Sequence, residues 1–316
     1  MTPLMTSTDK NLVVILGPTG VGKTELCLSL AGLFHSPVIS ADSRQMYADI
    51  PIGTAAPTES QRKQVRHYFV GTLGLDEYYS AARYEEDAMR LISELFQTHD
   101  TLIVAGGSMM YIDALCKGID DIPTITPEVR SQIMIQYGEK GLDGMFSLLE
   151  ELDPEYSRIV DRHNPKRVLH ALEVCRMTGG TYTSLRRGSA KSRPFNIIKI
   201  GLTRPREELY ERIGQRVDRM ISEGLIEEAR RVLPLRGQNS LNTVGYKELF
   251  LYFDHEDGLS DNGYTLPFAV EQIKRNTRVY SRKQMTWFKR DTSISWFSPD
   301  DREQIIAHID SRIRKQ

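Results

Sequence analysis

Residues 17–24 have the sequence GPTGVGKT, which matches the pattern G-x-x-x-x-G-K-[ST] at every fixed position. An aliphatic run at residues 11–16, NLVVIL, precedes them and predicts a buried strand, and a helical pattern begins near Lys23. In such a loop the backbone N–H groups turn inward, and the helix N-terminus adds its positive dipole end. The stretch therefore predicts a phosphate-binding loop formed by Gly17, Pro18, Thr19, Gly20, Val21, Gly22, Lys23 and Thr24.

Two side chains of this loop have expected roles in holding phosphate. We expect Lys23 to reach a terminal phosphate and the hydroxyl of Thr24 to hold Mg²⁺ as a cofactor. The loop alone does not distinguish ATP, GTP and other diphosphates as the ligand, so ATP binding stays one interpretation.

The rest of the chain predicts an α/β fold. Strand patterns end at Asp42 in PVISAD, and they recur in TLIVAGG at residues 101–107, FNIIKIGL at residues 195–202 and SISWF at residues 293–297. Helical patterns alternate with them, among them a helix with Ser80 as N-cap and one long helix over about residues 206–232. This alternation predicts a P-loop parallel sheet flanked by helices.

One long segment departs from the alternation. From residue 118 to residue 194 the sequence has helical periodicity and turn signals but no convincing strand. We therefore predict a P-loop α/β core domain of residues 1–117 and 195–316, interrupted by a mostly helical insertion domain of residues 118–194.

Composition excludes several classes of protein. The 316 residues are 40% hydrophobic and 26% charged, as is typical of a soluble globular protein. The three cysteines, Cys27, Cys116 and Cys175, lie too far apart to suggest a disulfide framework or a cysteine zinc site. Because no secretory signal and no apolar run of about 18 residues is present, we expect a cytoplasmic protein without membrane contact.

The predicted strand ends carry the next candidate residues. Asp42 follows the second strand, at the sheet edge where α/β proteins bind ligands, and is either a general base, a metal ligand or a turn residue. A nucleotide hydrolase usually has an acidic residue after a strand such as TLIVAGGS, but here Ser108 follows two glycines. This absence weakens the interpretation as a nucleotide hydrolase.

Positive charge is concentrated in two segments, although the net charge of the chain is -1. Residues 156–195 contain nine basic and two acidic residues, and residues 271–290 contain seven and one. Such segments are typical of polyanion binding, but each is also compatible with a solvated helix face. The second segment contains Tyr280, Trp287 and Phe288, which either stack on unpaired bases or belong to the core.

Arg212 and Arg216 stand four residues apart on the predicted long helix. This spacing would let both guanidinium groups reach one anion. Alternatively, each is a surface arginine or a partner of Glu208 or Glu211.

In order and spacing, seven stretches together resemble the bacterial tRNA dimethylallyltransferases, also called tRNA isopentenyltransferases. The resemblance covers residues 11–297, and the set is far more specific than the phosphate loop alone. The stretches are GPTGVGKTEL (17–26), ISADSRQMYADIPIGTAAP (39–57), VAGGSMMYIDAL (104–115), LDPEYSRIVDRHNPKRVLHALEV (152–174), LYERIGQRVDRMISEGLIEE (209–228), NTVGYKEL (242–249) and KRNTRVYSRKQMTWFKR (274–290).

The resemblance implies that the chain transfers a dimethylallyl group from dimethylallyl diphosphate to N6 of the adenosine next to the anticodon of tRNA, on its 3′ side. Diphosphate is released, so the loop would hold the leaving group of a prenyl donor. The implied partners are the tRNA anticodon stem-loop and dimethylallyl diphosphate, and we expect a monomer.

The resemblance also implies residue roles. Asp42 matches the family's proposed general base, which an exocyclic adenine amine needs because its lone pair is delocalised. Arg216 would neutralise charge on the diphosphate. Ser108 stands where the family usually has Thr, so the hydroxyl and its hydrogen-bonding role are kept but the methyl group is lost. Together with the second basic segment, the expected tRNA contacts are Asp42, Ser43, Arg44, Gln45, Ser108, Arg130, Lys166, Arg167, Val168, Leu169, His170, Arg275, Arg278, Arg282 and Lys283.

Two alternatives to prenyl transfer remain at this point. A P-loop small-molecule kinase would share the loop and the sheet, consume ATP, and have no use for the basic segments. A non-catalytic RNA-binding P-loop protein would use the basic segments but would leave Asp42 without a role.

Overall fold

The structure is a computed structural model that describes residues 10–186, 188, 190–258, 261 and 263–314. Arg187, one of the basic residues counted above, lies outside the described residues. The chain divides into two compact units, one formed by Met1–Cys116 with Arg193–Gln316 and the other by Lys117–Ser192.

The larger unit contains a six-stranded sheet in which every strand pair is parallel. The strand order is β3-β2-β4-β1-β5-β6, so β1 lies between β4 and β5 in the middle of the sheet. This finding confirms the predicted α/β class. The strands are β1 Asn11–Leu16, β2 Val38–Ser40, β3 His67–Tyr68, β4 Thr101–Gly106, β5 Asn196–Leu202 and β6 Ser295–Phe297.

Helices precede, connect and follow these strands. The first five are α1 Lys23–Leu33, α2 Pro51–Thr54, α3 Glu59–Gln64, α4 Ala81–Leu95 and α5 Met109–Lys117. Those of the insertion are α6 Pro127–Leu152, α7 Pro154–Ser157, α8 Pro165–Thr178 and α9 Tyr182–Leu185. The last five are α10 Arg206–Ser222, α11 Leu225–Val232, α12 Tyr246–Glu256, α13 Leu266–Phe288 and α14 Arg302–Ile313. Two short 3₁₀ turns, Leu233–Leu235 and Asn239–Leu241, lie between α11 and α12.

Strand β1 is buried on both faces, because successive side chains of a strand point to opposite sides of the sheet. Leu12, Val14 and Leu16 belong to one core, together with residues of α4, α5 and α10–α13. Val13 and Ile15 belong to a second core, together with residues of α1 and α14. The sheet therefore has helices on both faces, as an all-parallel sheet requires.

The smaller unit is helical and has its own core. Residues of α6, α7 and α8, including Ile133, Leu149, Tyr156 and Leu172, pack together there. The carboxylate of Asp153, which is fully buried, accepts hydrogen bonds from the Tyr156 N–H and from the N–H and hydroxyl of Thr183. Buried carboxylates are stable only when satisfied in this way.

One predicted element differs from the structure. The single helix expected over residues 206–232 is two helices, α10 and α11, separated by Glu223 and Gly224. Gly224 has φ 100, a left-handed conformation that interrupts the helix and that glycine adopts without steric cost. Ser80 is the N-cap of α4 as predicted, and its side chain accepts a hydrogen bond from the Arg83 N–H. Among the described helices, none is both long enough and apolar enough to cross a membrane.

Candidate active site

The phosphate loop joins β1 to α1 at the carboxyl end of the central strand. Gly20 has φ 82 and Gly22 has φ 110, so both adopt a left-handed backbone that other residues rarely take. Because glycine adopts these conformations without steric cost, the loop wraps tightly before α1 begins at Lys23. The structure therefore has a tight glycine turn between β1 and α1, and phosphate binding by this turn stays a prediction.

Lys23 folds back onto its own loop. Its Nζ donates hydrogen bonds to the carbonyl oxygens of Gly17 at 3.0 Å and Pro18 at 2.9 Å. Burial, and then the nearby charge of Arg216, lower the pKa of Lys23 to about 8, while the carboxylate of Asp42 opposes this shift. Burial likewise lowers the pKa of Arg216, again against the influence of Asp42. Lys23 and Arg216 are thus two positive charges beside the single carboxylate of Asp42. An anionic ligand bound near them would stabilise their charged forms.

Asp42 follows β2 and caps the turn that comes after it. One carboxylate oxygen, Oδ1, accepts hydrogen bonds from the backbone N–H groups of Arg44 at 2.9 Å and Gln45 at 3.4 Å. The other oxygen, Oδ2, has no hydrogen-bond partner within the part of the chain that the structure describes. Asp42 can therefore stabilise the turn and also act as a general base, because Oδ1 accepts the turn hydrogen bonds and Oδ2 is left for a proton.

Two cavities lie beside the loop, and Asp42 contributes to the wall of both. The smaller, which we call the loop cavity, has a volume of about 60 Å³ and is lined by Lys23 and Thr24. The larger, which we call the main cavity, has a volume of about 290 Å³. Thr19, Arg216 and other polar groups line part of the main cavity, and its apolar wall is formed by Val217, Met220, Leu225, Val244 and Ile273.

The structure gives Arg212 and Arg216 different positions. Arg216 lines the main cavity together with Asp42. Arg212 instead donates a hydrogen bond from Nε to the carbonyl oxygen of Gly20 at 3.1 Å, so it supports the loop from outside. Of the two, only Arg216 therefore faces the space where a ligand of the main cavity would lie.

Ser108 lies next to Asp42 because its N–H donates to the carbonyl oxygen of Ala41 at 3.1 Å. Its side chain lines neither the loop cavity nor the main cavity. The two glycines before it allow close packing within the protein: a methyl group at Gly106 would overlap the Ala41 carbonyl. At Gly107, the same group would lie 2.5 Å from Nε2 of Gln284.

Gln284 is a residue that the sequence analysis did not single out. It lies on α13, is 2% exposed, and its Oε1 accepts a hydrogen bond from the Thr19 N–H at 2.9 Å. Its Nε2 donates to the carbonyl oxygen of Gly107 at 2.8 Å. One amide thus joins the phosphate loop to the turn after β4. The only sequence signal was a glutamine within a basic helix, which by itself does not indicate burial.

The second basic segment coincides with most of α13. Arg275, Arg282 and Lys283 are exposed, and Arg278 is partly buried. The three aromatic residues of the segment differ: Phe288 belongs to the core, the indole N–H of Trp287 donates to Asp113, and Tyr280 lines the main cavity. Burial, and then the charge of Asp42, raise the pKa of Tyr280 to about 12.

The main cavity and its rim also contain other residues expected to contact tRNA. Ser43 and Arg44 line the main cavity. Gln45 lines the loop cavity, and its Nε2 donates to the carbonyl oxygen of Ala55 at 3.0 Å. These side chains and Asp42 are therefore brought together by the turn after β2.

The remaining expected tRNA contacts lie in the helical unit. Lys166 and Arg167 are exposed, and Arg130 forms an ion pair with Glu173. His170 also lies within 3.5 Å of Glu173. Val168 and Leu169 are buried in the core of this unit, so their side chains are unavailable to a ligand. A contact by this segment would therefore depend on its charged neighbours.

The side chains beside the loop could supply the one or two protein oxygens that Mg²⁺ commonly takes. Within the described residues, no group of three His, Cys, Asp or Glu side chains is placed to hold a metal ion alone. Mg²⁺ commonly takes one or two protein oxygens and completes its shell with phosphate oxygens and water. The hydroxyl of Thr24 and the carboxylate of Asp42, which both line the loop cavity, are oxygen donors of the required kind.

Comparison with known families gives a consistent result. The family model described as IPP transferase matches residues 45–291. The chain is 59% identical over 303 residues to tRNA dimethylallyltransferase 2 of Parabacteroides distasonis, which covers 96% of this chain and 99% of the relative. It is 57% identical over 307 residues to tRNA dimethylallyltransferase 1 of Bacteroides fragilis, with 97% and 100% covered.

Solved structures show the same similarity. The tRNA isopentenylpyrophosphate transferase of Bacillus halodurans superposes with a TM-score of 0.69 at 30% identity, over 98% of both chains. A eukaryotic dimethylallyltransferase acting on tRNA superposes with a TM-score of 0.76 at 24% identity, over 96% of this chain and 77% of the other, and this likeness concerns the fold. The chain therefore belongs to the IPP transferase family, which includes the tRNA dimethylallyltransferases.

Proposed function

We propose that this protein transfers a dimethylallyl group from dimethylallyl diphosphate to N6 of the adenosine next to the anticodon of tRNA, on its 3′ side. The observation that carries the proposal is the position of Asp42, which lines both the loop cavity, together with Lys23, and the larger main cavity, together with Arg216. A base that borders both spaces is what a transfer between a diphosphate ester and an amine requires. The family relationship supports this reaction over the small-molecule kinase.

In this reaction the N6 nitrogen forms a bond to the allylic carbon as that carbon's bond to the diphosphate oxygen breaks. The electron pair leaves with the diphosphate, and Oδ2 of Asp42, which is free of hydrogen bonds within the described residues, accepts the proton that N6 loses. General-base catalysis of this kind contributes roughly 10²- to 10⁴-fold.

The developing negative charge on the leaving diphosphate would meet two positive groups beside the loop, Lys23 and Arg216. Arg216 of α10 already lines the main cavity, so its contribution needs little reorganisation during the reaction. Lys23 would exchange its hydrogen bonds to the Gly17 and Pro18 carbonyl oxygens for the diphosphate. We propose that Thr24 holds Mg²⁺, which would supply further positive charge to the diphosphate oxygens. In the same proposal the helical unit contacts the anticodon stem-loop. Ser108, whose side chain lines neither cavity, would act through the hydrogen bond of its N–H to the Ala41 carbonyl beside Asp42.

The proposal extends to the setting in which the protein works. Because the substrate is tRNA, we propose that the protein acts in the cytoplasm. We further propose that it acts as a monomer, which sedimentation of the purified chain at assay concentration would test.

The test measures incorporation of label from radiolabelled dimethylallyl diphosphate into unmodified tRNA, with Mg²⁺ and with purified wild-type protein. The variant is Asp42→Asn, because an asparagine removes the base but keeps an oxygen that can accept hydrogen bonds from the Arg44 and Gln45 N–H groups. We expect a loss of roughly 10²-fold or more for Asp42→Asn. The matched control is Asp49→Asn, which removes an exposed carboxylate from the same segment and should stay within twofold of wild type.

The other outcomes separate the alternatives. If wild type labels tRNA and Asp42→Asn does so equally well, the proposed reaction stands but Asp42 is not its base. No label with wild type, together with ATP consumption in a screen of small acceptors, would replace the proposal by a kinase. Tight tRNA binding without either turnover would indicate the non-catalytic RNA-binding protein.

A further inference from the structure

Three arginine side chains converge on one tyrosine between α10 and α13. Arg206 donates from Nε to the hydroxyl oxygen of Tyr210 at 3.0 Å, and Arg282 donates to the same oxygen from Nη1 at 2.9 Å. The guanidinium of Arg278 lies 5.9 Å from the centre of the Tyr210 ring. We call these four residues the arginine cluster.

The cluster lacks negative charge of its own. Within the described residues, none of its three arginines forms an ion pair with an acidic side chain, and Nε of Arg278 is buried without a hydrogen-bond partner. Burial alone would raise the pKa of Tyr210, but the hydrogen bonds from Arg282 and Arg206 lower it. Three like charges held together repel one another, and an added anion would relieve this repulsion.

The contrast with a neighbouring position on the same two helices is informative. Lys274, one turn before Arg278 on α13, forms ion pairs with Asp218 of α10 at 2.8 Å and with Glu271 at 3.3 Å. The charge between α10 and α13 is thus compensated at Lys274 and uncompensated at the arginine cluster. If the three arginines of the cluster only held α10 and α13 together, an acidic partner would serve them as well as it serves Lys274.

The position of the cluster indicates what kind of anion it would bind. None of its four residues lines the loop cavity or the main cavity, so the ligand of those cavities does not account for it. Arg206 and Arg282 are exposed, which favours a phosphate carried on a large ligand that lies across the surface. The cluster is nevertheless close to the phosphate loop, because Gly20 packs against Ile213 and Leu209, the residue before Tyr210.

We propose that the arginine cluster is a binding site for a backbone phosphate of the RNA substrate, with Tyr210 holding the guanidinium groups of Arg206 and Arg282 in place. Arginine suits this role because its planar group donates two parallel hydrogen bonds to a phosphate. The inference rests on the proposed function, since it takes RNA as the partner, and it adds Arg206 and Tyr210 to the residues that would contact it.

The experiment measures equilibrium binding of unmodified tRNA over a series of salt concentrations for wild type, Arg206→Gln, Arg282→Gln and Tyr210→Phe. Each arginine variant should weaken binding about fivefold or more and reduce the slope of log affinity against log salt by about one. Tyr210→Phe keeps all the charge and should weaken binding less, with the slope unchanged. The control, Arg312→Gln, removes an exposed arginine from α14 and should bind like wild type.

A second arm measures binding of inorganic diphosphate with Mg²⁺ to the same variants. Unchanged diphosphate affinity with weakened tRNA binding supports the proposal. Weakened diphosphate binding with normal tRNA binding would assign the cluster to the prenyl donor and overturn it, as would variants that match wild type in both assays. Since neither arm depends on turnover, a failure of the prenyl-transfer reaction is recognised separately, by the absence of labelled tRNA with wild type.

Discussion

The backbone N–H of Thr19 donates to Oε1 of Gln284 over 2.9 Å, and this bond ties the phosphate loop to α13. The same amide group donates from Nε2 to the Gly107 carbonyl, so it holds two turns at the carboxyl edge of the sheet at a fixed separation. The helix that carries the second basic segment is thereby connected to the residues that would bind the diphosphate. Gln284 is best described as a positioning residue.

Replacement of Gln284 by leucine should loosen the loop without creating a large void. The Thr19 N–H and the Gly107 oxygen would lose their partner, at a cost of about 1–3 kcal/mol of stability. We expect the KM for dimethylallyl diphosphate to rise about tenfold, which corresponds to 1.4 kcal/mol, while the KM for tRNA changes little. Steady-state kinetics and urea unfolding measure the two effects.

The control for this prediction is Gln304→Leu, the same change at an exposed position of α14. It should leave both KM values at the wild-type level. If Gln284→Leu raised both KM values equally, or neither, its role would be structural only.

Arg216 and Arg212 should respond differently to replacement by glutamine. Because Arg216 faces the main cavity beside Asp42, Arg216→Gln should lower kcat/KM for transfer by roughly 10²- to 10³-fold, as loss of a preorganised charge typically does. Arg212→Gln removes the hydrogen bond to the Gly20 carbonyl and a positive charge that also acts on Asp300, and it should cost less than about tenfold. Kinetics with the dimethylallyl donor varied would compare them, and a larger effect at Arg212 would reverse the assignment.

Tyr246 and Glu228 form a buried pair that supports one wall of the main cavity. The Tyr246 hydroxyl donates to Oε1 of Glu228 at 2.6 Å, and the carboxylate also accepts from the N–H groups of Ile52 and Gly53. A methyl group at Gly53 would overlap the Tyr246 hydroxyl, which explains a glycine at this position of the wall.

Tyr246→Phe should therefore reduce the free energy of unfolding by about 1.5–3 kcal/mol, the usual contribution of a hydrogen bond to a charged group. Urea unfolding would measure it, with an unchanged m-value expected because the fold is retained. Tyr252→Phe, whose hydroxyl bonds the exposed Glu256, is the matched control and should lose less than about 1 kcal/mol. Equal losses for the two variants would contradict the prediction.

The ion pair between Lys199 of β5 and Asp291 should make stability depend on acid pH. Their atoms Nζ and Oδ2 are 2.8 Å apart, and both side chains are largely buried. Burial alone would raise the pKa of Asp291, but hydrogen bonds from Lys199 and Ser293 lower it well below its usual range. A group whose folded-state pKa is depressed contributes stability above its unfolded pKa, near 3.9, and loses it as pH falls further.

Asp291→Asn should accordingly cost about 2 kcal/mol of unfolding free energy near pH 7. The difference from wild type should shrink as pH falls below about 5, because the unfolded wild-type chain takes up a proton on Asp291 near pH 3.9 while the folded protein keeps the carboxylate ionised to lower pH. Urea unfolding at several pH values measures this convergence, and a pH-independent difference would show that Asp291 acts through packing rather than charge.

The prediction of the larger unit succeeded where the signal was local. The aliphatic run of β1, the glycines of the phosphate loop and the capping serine of α4 each act within a few residues, and the structure has all three as predicted. The prediction of one long helix over residues 206–232 was wrong, because Gly224 adopts a left-handed conformation that ends the helix although the hydrophobic periodicity continues.

By itself, the sequence determined the glycine turn between β1 and α1 and the parallel α/β sheet, since backbone conformation and hydrophobic periodicity are properties of short segments. The order and spacing of its motifs also indicated the family. Only the tertiary structure decided that Gln284 bonds to Thr19, 265 positions away, that Arg216 rather than Arg212 faces the main cavity, and that Arg206 joins Arg278 and Arg282 around Tyr210. These relationships depend on which helix faces pack together, and no local pattern encodes them, because a polar residue on a helix has the same spacing whether it meets solvent, a carboxylate or a backbone amide.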